Sequence, residues 1–468
     1  MKNLLYVWNI CSGMALSLPL SAQTYKPNIV FIMADDLGWS DLGIMGSDFH
    51  ETPNIDRLAS EGLLFDNAYA SAANTAPSRA CIMTGMYTPY HGVYTVSPSE
   101  RGEIKKRRLI PIKNTEDVRT EFVTIAEILQ QQGYQCAQIG KWHLGDDKDG
   151  TGPLSQGFVW NVGGDRSGSP YSYFYSYCNK NKNYKCHLNL DSGVPGEYLT
   201  DRLTEEAISF IEANRDHPFF LYLSHYAVHV ALQAPESLVE KYRNIEKGKY
   251  HSNLVYAAMI EKIDDSVGKI VSTLERLGIE DKTLVIFYSD NGGSEPVTDN
   301  YPLRGGKGMP YEGGIRVPLI MKWPGRIERG LKVSIPVTGV DFYPTFVSLA
   351  KGNPAKDLCG KDIFSLLQKK EKRDLFWHFP AYLESYLNSG KDFRATPFSI
   401  IRSGNWKLIY YYENDNVELF NLEDDLMELS ECSEDNPYIV KKMKKKLFRW
   451  IKKTKAPIPT EKNPYYDG

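Results

Sequence analysis

The chain has 468 residues, of which 42% are apolar and 24% are charged, and these proportions are typical of globular proteins. This length allows one large domain and a smaller one. The formal net charge of −3 gives no electrostatic reason to expect a nucleic-acid partner, and we predict none.

The N-terminus has the pattern of a secretory signal. It begins with Lys2, continues as an apolar run and ends in small residues up to Ala22. We therefore predict a signal peptide, residues 1–22, and an exported protein, periplasmic or extracellular. A signal anchor is the alternative, but the apolar run is short and is interrupted by Asn9 and Ser12. No later segment approaches the length of a membrane span, so we predict none.

Short apolar runs alternate with helical patterns along most of the chain. The strand candidates are, in order, PNIVFIMAD, CAQIGKWH, PFFLYLS, TLVIFYSDNGG and VPLIMKWPG. The helical patterns between them include FVTIAEILQQQGY, YLTDRLTEEAISFIEANRD and YAAMIEKIDDSVGKIVSTLERLG. Nearly continuous apolar strands interleaved with helices predict an α/β fold, with a large mixed, mostly parallel sheet sandwiched by helices. We assign residues 23–375 to this N-terminal α/β domain.

The C-terminal part has a different pattern. The stretch SIIRSGNWKLIYYYENDNVELFNLEDD alternates apolar and polar residues, as antiparallel strands do. It is followed by a helical pattern with Val440, Met443, Leu447 and Ile451 on one face. We predict a smaller subdomain, residues 376–468, with an antiparallel sheet plus a helix. The lysines of this helix are typical of a solvated face, and binding of an anionic glycan is the alternative.

Two cysteines lie close together in the sequence. Cys178 and Cys186 flank a polar, lysine-rich stretch and can form a local disulfide in an oxidising compartment, a pairing that the sequence alone leaves open. No Cys/His spacing typical of zinc sites occurs, so a zinc site of that kind is not expected.

Oxygen-bearing side chains follow two of the strand candidates. Asp35 and Asp36 come directly after the first strand, and Asp290 and Asn291 follow a later one. Ligands of such sheets bind outside the carboxyl ends of the strands, so these four side chains are expected to meet there. Adjacent carboxylates repel each other unless a cation lies between them, and Ca²⁺ or Mg²⁺ prefers oxygen ligands. A role as turn residues or helix caps is the alternative for each pair alone. Both pairs at strand ends favour a metal site.

Cationic side chains recur in short motifs near the same strand ends. The candidates are Arg79, Lys141, His143, His225, His229 and Lys307. A transferring phosphoryl or sulfuryl group carries negative charge on its equatorial oxygens, which Arg, Lys and a metal ion can bind. A histidine near the leaving oxygen can act as a general acid. Each of these residues alone is more often a surface lysine or a hydrogen-bonded histidine. Together they indicate an anionic ester as the substrate.

These motifs resemble those of the type I sulfatase family, which is arylsulfatase-like and lies within the alkaline phosphatase superfamily. The matching segments are PNIVFIMADDLGWSDLG, APSRACIMTG, GKWHLG, FYSDNGG, LRGGKGMPYEGGIRVP and GNWKLI. They cover almost the whole chain after the signal. The segments SHYAVHVALQAP and GGDRSGSP are most similar to bacterial sulfatases that act on carbohydrate sulfate esters.

The resemblance implies a sulfuric ester hydrolase that removes sulfate from a sulfated carbohydrate, with one Ca²⁺ ion. The implied metal ligands are Asp35, Asp36, Asp290 and Asn291, with Thr75 as a further candidate. The residues implied to support the nucleophile are Arg79 and Lys141. The residues implied to contact the sulfate or the leaving oxygen are His143, His229 and Lys307.

Position 75 departs from the family pattern, which reads Cys or Ser, any residue, Pro, Ser, Arg. In the family, the Cys or Ser is oxidised to formylglycine, an aldehyde whose hydrate is the nucleophile. Thr75 carries a methyl group on Cβ, so the same oxidation would give a ketone, and formylglycine is not expected.

Three alternatives follow for Thr75. It is a direct alkoxide nucleophile, activated by the metal and by the helix N-terminus. Or it is a metal ligand and helix cap in a non-catalytic homologue that binds sulfated glycan. Or it is a substitution made in the laboratory to trap substrate. The alternative activity for a direct nucleophile is hydrolysis of a phosphate or phosphonate ester.

Substrate specificity is expected from loops outside the shared core. Asp165 and Arg166 lie beside a run of tyrosines, residues 171–177, which can stack on sugars or pack in a core. His91 and His225 are further candidates at the pocket rim. The segment LESYLNSGKDFRATP is expected to add another wall.

Overall fold

The structure is a computed structural model that describes residues 25–178, 190, 192–353, 357–369, 371–386 and 389–467. The predicted signal peptide, residues 1–22, lies outside the described residues. Cys178 is disulfide-bonded, whereas Cys186, its candidate partner, also lies outside them. No helix in the described part of the chain is long and apolar enough to span a bilayer.

The strands, in chain order, are β1 (Asn28–Ala34), β2 (Leu63–Phe65), β3 (Ala68–Tyr69), β4 (Gln135–Gly140), β5 (Trp160–Val162), β6 (Phe219–Ser224), β7 (Thr283–Ser289), β8 (Leu319–Lys322), β9 (Leu331–Val333), β10 (Val337–Thr338), β11 (Asp374–Phe379), β12 (Leu383–Glu384), β13 (Phe393–Ala395), β14 (Phe398–Ser403), β15 (Trp406–Tyr411) and β16 (Val417–Asn421). The α-helices are α1 (Pro53–Ser60), α2 (Thr75–Thr84), α3 (Thr88–His91), α4 (Ile125–Gln131), α5 (Leu199–Asn214), α6 (Glu236–Arg243), α7 (Leu254–Arg276), α8 (Glu312–Ile315), α9 (Phe342–Leu349), α10 (Ile363–Lys369) and α11 (Pro437–Thr454).

The central sheet has eight strands in the order β5-β4-β6-β1-β7-β8-β2-β9. The five strands from β5 to β7 run parallel, whereas β8 is antiparallel to both β7 and β2. Every residue of β1, β6 and β7 is buried, as expected for inner strands covered on both faces. The mixed, mostly parallel sheet predicted from the sequence is therefore confirmed.

Alternating side chains of the central strands point to opposite faces of the sheet and pack into two separate hydrophobic cores. Phe31 of β1 faces a core with Phe346 of α9, and Ile32 faces the opposite core with Ile211 of α5 and Ile263 of α7. Local signals fix several helix starts. At α4, Thr124 and Glu127 form a reciprocal capping box. Helices pack on both faces of the sheet, and the sheet positions the ends of its strands.

The C-terminal part contains an antiparallel sheet in the order β11-β14-β15-β16, covered by α11. Met443, Leu447 and Ile451 of this helix are buried, which confirms the predicted apolar face. The predicted boundary between residues 375 and 376 falls within β11. A division that keeps the sheet whole lies before Asp374.

Candidate functional site

The site lies where four neighbouring parallel strands end. Strands β4, β6, β1 and β7 are adjacent in the sheet, and their carboxyl ends meet at one edge. The side chains that follow these ends are Lys141, His143, His229, Asp35, Asp36, Asp290 and Asn291. The strand-end rule thus predicted the place at which these groups come together.

Three carboxylates form the centre of this cluster. Oxygens of Asp35, Asp36 and Asp290 lie within 4.8 Å of one another, and all three side chains are buried. The amide nitrogen of Asn291 donates to Asp36 Oδ1 at 2.8 Å, and the backbone N–H of Asp36 donates to Asp290 Oδ1 at 3.2 Å. Burial, reinforced by the charge of Asp35, raises the pKa of Asp290 to about 7 despite Arg79. Burial therefore disfavours the ionised form of Asp290 within this cluster.

Thr75 is the first residue of α2 and faces the carboxylates. Its hydroxyl lies 3.1 Å from Asn291 Oδ1 and 3.3 Å from Asp35 Oδ1, and the side chain is buried. Asn74, not Thr75, precedes the helix as its cap residue, and no side-chain cap hydrogen bond forms. The capping role considered for Thr75 is therefore wrong. The hydroxyl is committed to the cluster instead.

Arg79, one turn along α2, is fully buried beneath the carboxylates. Its Nε donates to Asp290 Oδ2 at 3.0 Å, and Nη1 donates to the backbone carbonyl of Lys141 at 2.9 Å. Nη1 also bonds to the hydroxyl of Ser224, at the end of β6. Arg79 thereby ties α2 to three strand ends. Ser224 was absent from the sequence-based candidates, although the same strand-end rule applies to it.

Two lysines bring positive charge to the cluster from different loops. Lys141 forms an ion pair with Asp35, and both side chains are fully buried. Lys307 Nζ lies 2.7 Å from Asp36 Oδ2. Burial disfavours the ionised carboxylate, but the charges of Lys307 and Lys141 hold the pKa of Asp36 well below its usual value.

His229 and His143 face the site as neutral imidazoles. His229 Nδ1 donates to the carbonyl of Val230 at 2.6 Å, so its proton lies there and Nε2 faces Asp36 Oδ2 at 3.7 Å. Burial and the charge of Lys307 lower the pKa of His229 to about 3. Burial and Lys141 also lower the pKa of His143. The buried Nδ1 of His143 has no hydrogen-bond partner among the described residues.

The two histidines predicted at the pocket rim have other surroundings. His91 is the last residue of α3 and is buried, with Nε2 3.4 Å from Cys81 Sγ of α2 and Nδ1 accepting from the backbone N–H of Val93. His225 is buried on the other side, with Nε2 2.9 Å from the hydroxyl of Ser266 on α7. Their contacts are those of core histidines, so the rim position expected for them is wrong.

Asp165 and Arg166, the pair predicted to bind sugar, lie in different surroundings. The backbone carbonyl of Asp165 accepts from the N–H of His143 at 2.9 Å, so Asp165 borders the site through its main chain. The guanidinium of Arg166 extends to the surface, where it pairs with Asp117 and Asp149. Whether either residue binds substrate stays a prediction.

The donor set fits a divalent cation of the oxygen-preferring kind. Three carboxylates, an amide oxygen and a hydroxyl converge here, without a thiol. These are the hard oxygen ligands that Ca²⁺ and Mg²⁺ take in proteins. A bound cation would also favour the ionised form of Asp290, whose pKa is raised without one.

Comparisons with known proteins agree with this geometry. The family model described as Sulfatase matches residues 27–352, and one described as N-sulphoglucosamine sulphohydrolase, C-terminal, matches residues 306–453. A sulfatase of Formosa agariphila is 34% identical over 94% of this chain and 92% of its own. The N-acetylgalactosamine-6-sulfatase of Mus musculus is 33% identical over 81% of this chain and 76% of its own.

The fold is also similar to that of solved structures. The structure of Ps i-CgsB in complex with k-i-k-neocarrahexaose has a TM-score of 0.76 and 30% identity, and the match covers 93% of this chain and 95% of that chain. The sequence, the fold and the clustered strand-end groups agree, and the chain belongs to the sulfatase family.

Proposed function

We propose that this protein removes sulfate from a sulfated carbohydrate by attack of the oxygen nucleophile at position 75, with one Ca²⁺ ion as cofactor. The observation that carries the proposal is the buried cluster in which the hydroxyl of Thr75 adjoins three carboxylates and three cationic side chains. Relatives named as sulfatases of N-acetylgalactosamine, and a neighbour solved with a bound neocarrahexaose, support a sulfated glycan as the substrate.

The cation would be held by Asp35, Asp36, Asp290 and Asn291, with Thr75 beside it. When bound, it would supply positive charge to the sulfate oxygens. Mg²⁺ is the second candidate ion, because both ions prefer oxygen ligands and differ chiefly in size and coordination number.

The protein groups account for the transfer step. The Thr75 hydroxyl loses its proton towards Asp35 and attacks sulfur, and the bond between sulfur and the sugar oxygen breaks. The electron pair leaves with the sugar oxygen, which takes a proton from His229. This histidine is neutral in the free site, and it takes up that proton at Nε2 from solvent when the negatively charged sulfate ester binds beside it. Arg79 and Lys141 hold the Asp290 and Asp35 carboxylates in place, whereas Lys307 supplies charge to the sulfate.

Release of the product is the distinctive step for this chain. A formylglycine hydrate expels sulfate by returning to the aldehyde, a route that the Cβ methyl of Thr75 closes. A sulfated Thr75 returns to the free hydroxyl only when water attacks sulfur. Slow turnover with accumulation of the sulfated enzyme is therefore expected.

A direct test measures sulfate release from sulfated monosaccharides and oligosaccharides in the presence of Ca²⁺. The variants are Thr75→Ala and His229→Ala, with His217→Ala as a control, because His217 is an exposed histidine in the loop after α5. The proposal requires release that Thr75→Ala abolishes, that His229→Ala strongly slows and that the control retains. The mass of the peptide that spans Thr75 then distinguishes free threonine, an oxidised residue and a covalent sulfate adduct.

Other outcomes would assign a different function. Turnover of aryl phosphates or phosphate diesters alone would identify a phosphate or phosphonate ester hydrolase that uses Thr75. Binding of sulfated glycan without turnover at saturating Ca²⁺ would identify a non-catalytic homologue.

We also propose that the protein is exported, periplasmic or extracellular, on the basis of its N-terminal sequence. Fractionation of expressing cells, with N-terminal sequencing for cleavage after Ala22, tests that proposal.

A further inference from the structure

A second cavity adjoins the candidate site on its C-terminal side. It has a volume of about 450 Å³ and lies between the loop that carries Lys307 and the segment around β13. The lining residues on which the argument rests are Glu295, Arg304, Tyr311, Tyr386, Lys391 and Arg394. Part of this lining comes from the segment that the sequence predicted to add another wall.

The cavity and the site share a narrow wall at Gly308. A Cβ placed on Gly308 would lie 3.1 Å from Arg394 Nε and 3.3 Å from Asn74 Oδ1. Asn74 directly precedes Thr75, so Arg394 and the nucleophile position flank the same glycine. On the same wall, the hydroxyl of Tyr386 donates to the backbone carbonyl of Lys307 at 3.3 Å. A sugar that occupies the cavity would therefore be a near neighbour of one at Thr75.

The lining has an excess of positive charge. Arg304, Lys391 and Arg394 face the cavity, and among its described lining residues Glu295 is the only carboxylate. Burial raises the pKa of Glu295 in spite of Lys391 and Arg394, which further reduces its negative charge. The buried Nε of Arg394 has no hydrogen-bond partner in the described parts of the chain. A buried guanidinium N–H without a partner favours an acceptor on a ligand.

Two of these arginines lie over aromatic rings. The guanidinium of Arg394 lies 4.4 Å from the ring centre of Tyr386, and that of Arg304 lies 3.8 Å from the ring centre of Tyr311. Stacking restricts both side chains, so less conformational entropy is lost when they bind an anion. A planar guanidinium in a fixed orientation suits a sulfate or carboxylate, which it can bind through two parallel hydrogen bonds.

We propose that this cavity is a second anion subsite, which binds a sulfate or carboxylate on the sugar adjacent to the one that loses its sulfate. The inference rests on the proposed function, because it takes Thr75 as the position of the reacting sugar. It limits the preferred substrates to oligosaccharides with negative charge on two neighbouring sugars.

Three probes separate the possible sources of the anion. N-acetylgalactosamine 6-sulfate has no neighbouring sugar, a 6-sulfated chondroitin disaccharide adds a carboxylate, and a carrageenan-derived neocarratetraose adds a second sulfate. The variants are Arg394→Ala and Lys391→Ala, of which the second removes an exposed side chain and leaves the fold unaffected. The control is Arg108→Ala, an exposed arginine that stacks on Tyr466 away from the cavity lining.

The subsite predicts a rise in KM of at least about tenfold for one or both oligosaccharides in the Arg394 variant, with a smaller rise for Lys391. The KM for the monosaccharide and the values for the Arg108 variant stay within about twofold of wild type. An effect on the disaccharide identifies a carboxylate, and an effect on the neocarratetraose identifies a sulfate. Unchanged KM values, or an equal change for all three probes, would overturn the subsite.

Binding measurements separate this inference from the proposed function. Titration calorimetry with the same three probes reports the subsite even when no sulfate is released. Loss of oligosaccharide affinity in the Arg394 variant, with no turnover by the wild type, supports the subsite and rejects hydrolysis. Turnover that is insensitive to Arg394 supports hydrolysis and rejects the subsite. If neither oligosaccharide binds to the wild type, the subsite is rejected as well.

Discussion

Lys407 connects the C-terminal sheet to the loop that carries Lys307, and its replacement by methionine tests that connection. The side chain leaves β15 and is fully buried between two carboxylates, with Nζ 3.0 Å from Glu312 Oε1 and 2.7 Å from Glu428 Oε1. Glu312 is the first residue of α8 and also accepts a hydrogen bond from the hydroxyl of Tyr69. Lys407→Met keeps most of the side-chain volume and removes the positive charge.

The expected loss follows from these distances. At about 3 Å and an effective dielectric constant of about 20, one such pair contributes roughly 5 kcal/mol of Coulomb energy. Part of this is recovered when a carboxylate left without its partner takes up a proton. Removal of one member of a buried ion pair costs about 3–5 kcal/mol in unfolding free energy, and we expect Lys407→Met to fall in this range.

The loss should depend on pH in a defined direction. Burial raises the pKa of Glu428 from 4.5 to about 7. The charge of Lys407 lowers this pKa in part, and the negative charge of Glu312 raises it further. A carboxyl group with a raised pKa in the folded state binds more protons when folded, so stability falls as pH rises from about 4.5 through about 7. Without Lys407 this pKa rises further. The deficit of the variant is therefore smaller near pH 5.5 than near pH 8.

Urea unfolding monitored by tryptophan fluorescence at the two pH values measures this deficit. The control is Lys446→Met, because Lys446 pairs with Asp374 at 2.9 Å where both side chains are partly exposed. That variant should lose less than about 1 kcal/mol at either pH. Adding Glu428→Gln to Lys407→Met should restore part of the stability. A loss below about 1 kcal/mol for Lys407→Met, or one that is equal at both pH values, would refute the proposed charge balance.

Three further predictions concern the candidate site. Removal of divalent cations with EDTA should lower the thermal unfolding temperature. Addition of Ca²⁺ at about 100 times its Kd should raise the unfolding free energy again by about 2.7 kcal/mol. This gain should be absent in Asp36→Ala. Identical unfolding scans with and without EDTA would contradict a metal site. The variant Thr75→Cys should be produced together with the enzymes that mature sulfatases, and the mass of its peptide should then show formylglycine at position 75. This variant should release sulfate faster than the wild type. Equal rates would show that Thr75 supports the full catalytic cycle as well as formylglycine does. His229→Ala should lower kcat/KM, which reports sulfation of the enzyme, by about 10²–10⁴ for a sugar sulfate and much less for an aryl sulfate, whose leaving group needs no proton. Equal losses on both substrates would exclude the general-acid role.

Much of the architecture was predictable because it is encoded locally. Continuous apolar runs identify buried strands, helical periodicity identifies their covering helices, and parallel strands must end at the same edge. The positions of Asp35, His143 and Asp290 just after such runs were therefore enough to predict that they converge. The departure at Thr75 was also visible, because the chemistry of a Cβ methyl is independent of the fold.

Other features depended on contacts between distant segments. His91 and His225 are of the same residue type as His229, and only the packing of α2, α3 and α7 shows that the first two are buried in the core. Glu312 and Lys407 lie in motifs that resemble the family's, yet their mutual ion pair across 95 residues became evident only in the folded chain. The same holds for Arg394, whose place beside Gly308 is set by the docking of the C-terminal segment.

The sequence determined where strands and their terminal polar residues lie, because these follow from local periodicity. Which side chains face the site, the core or a second cavity was decided by long-range packing, since the direction of a side chain depends on elements far away in the chain.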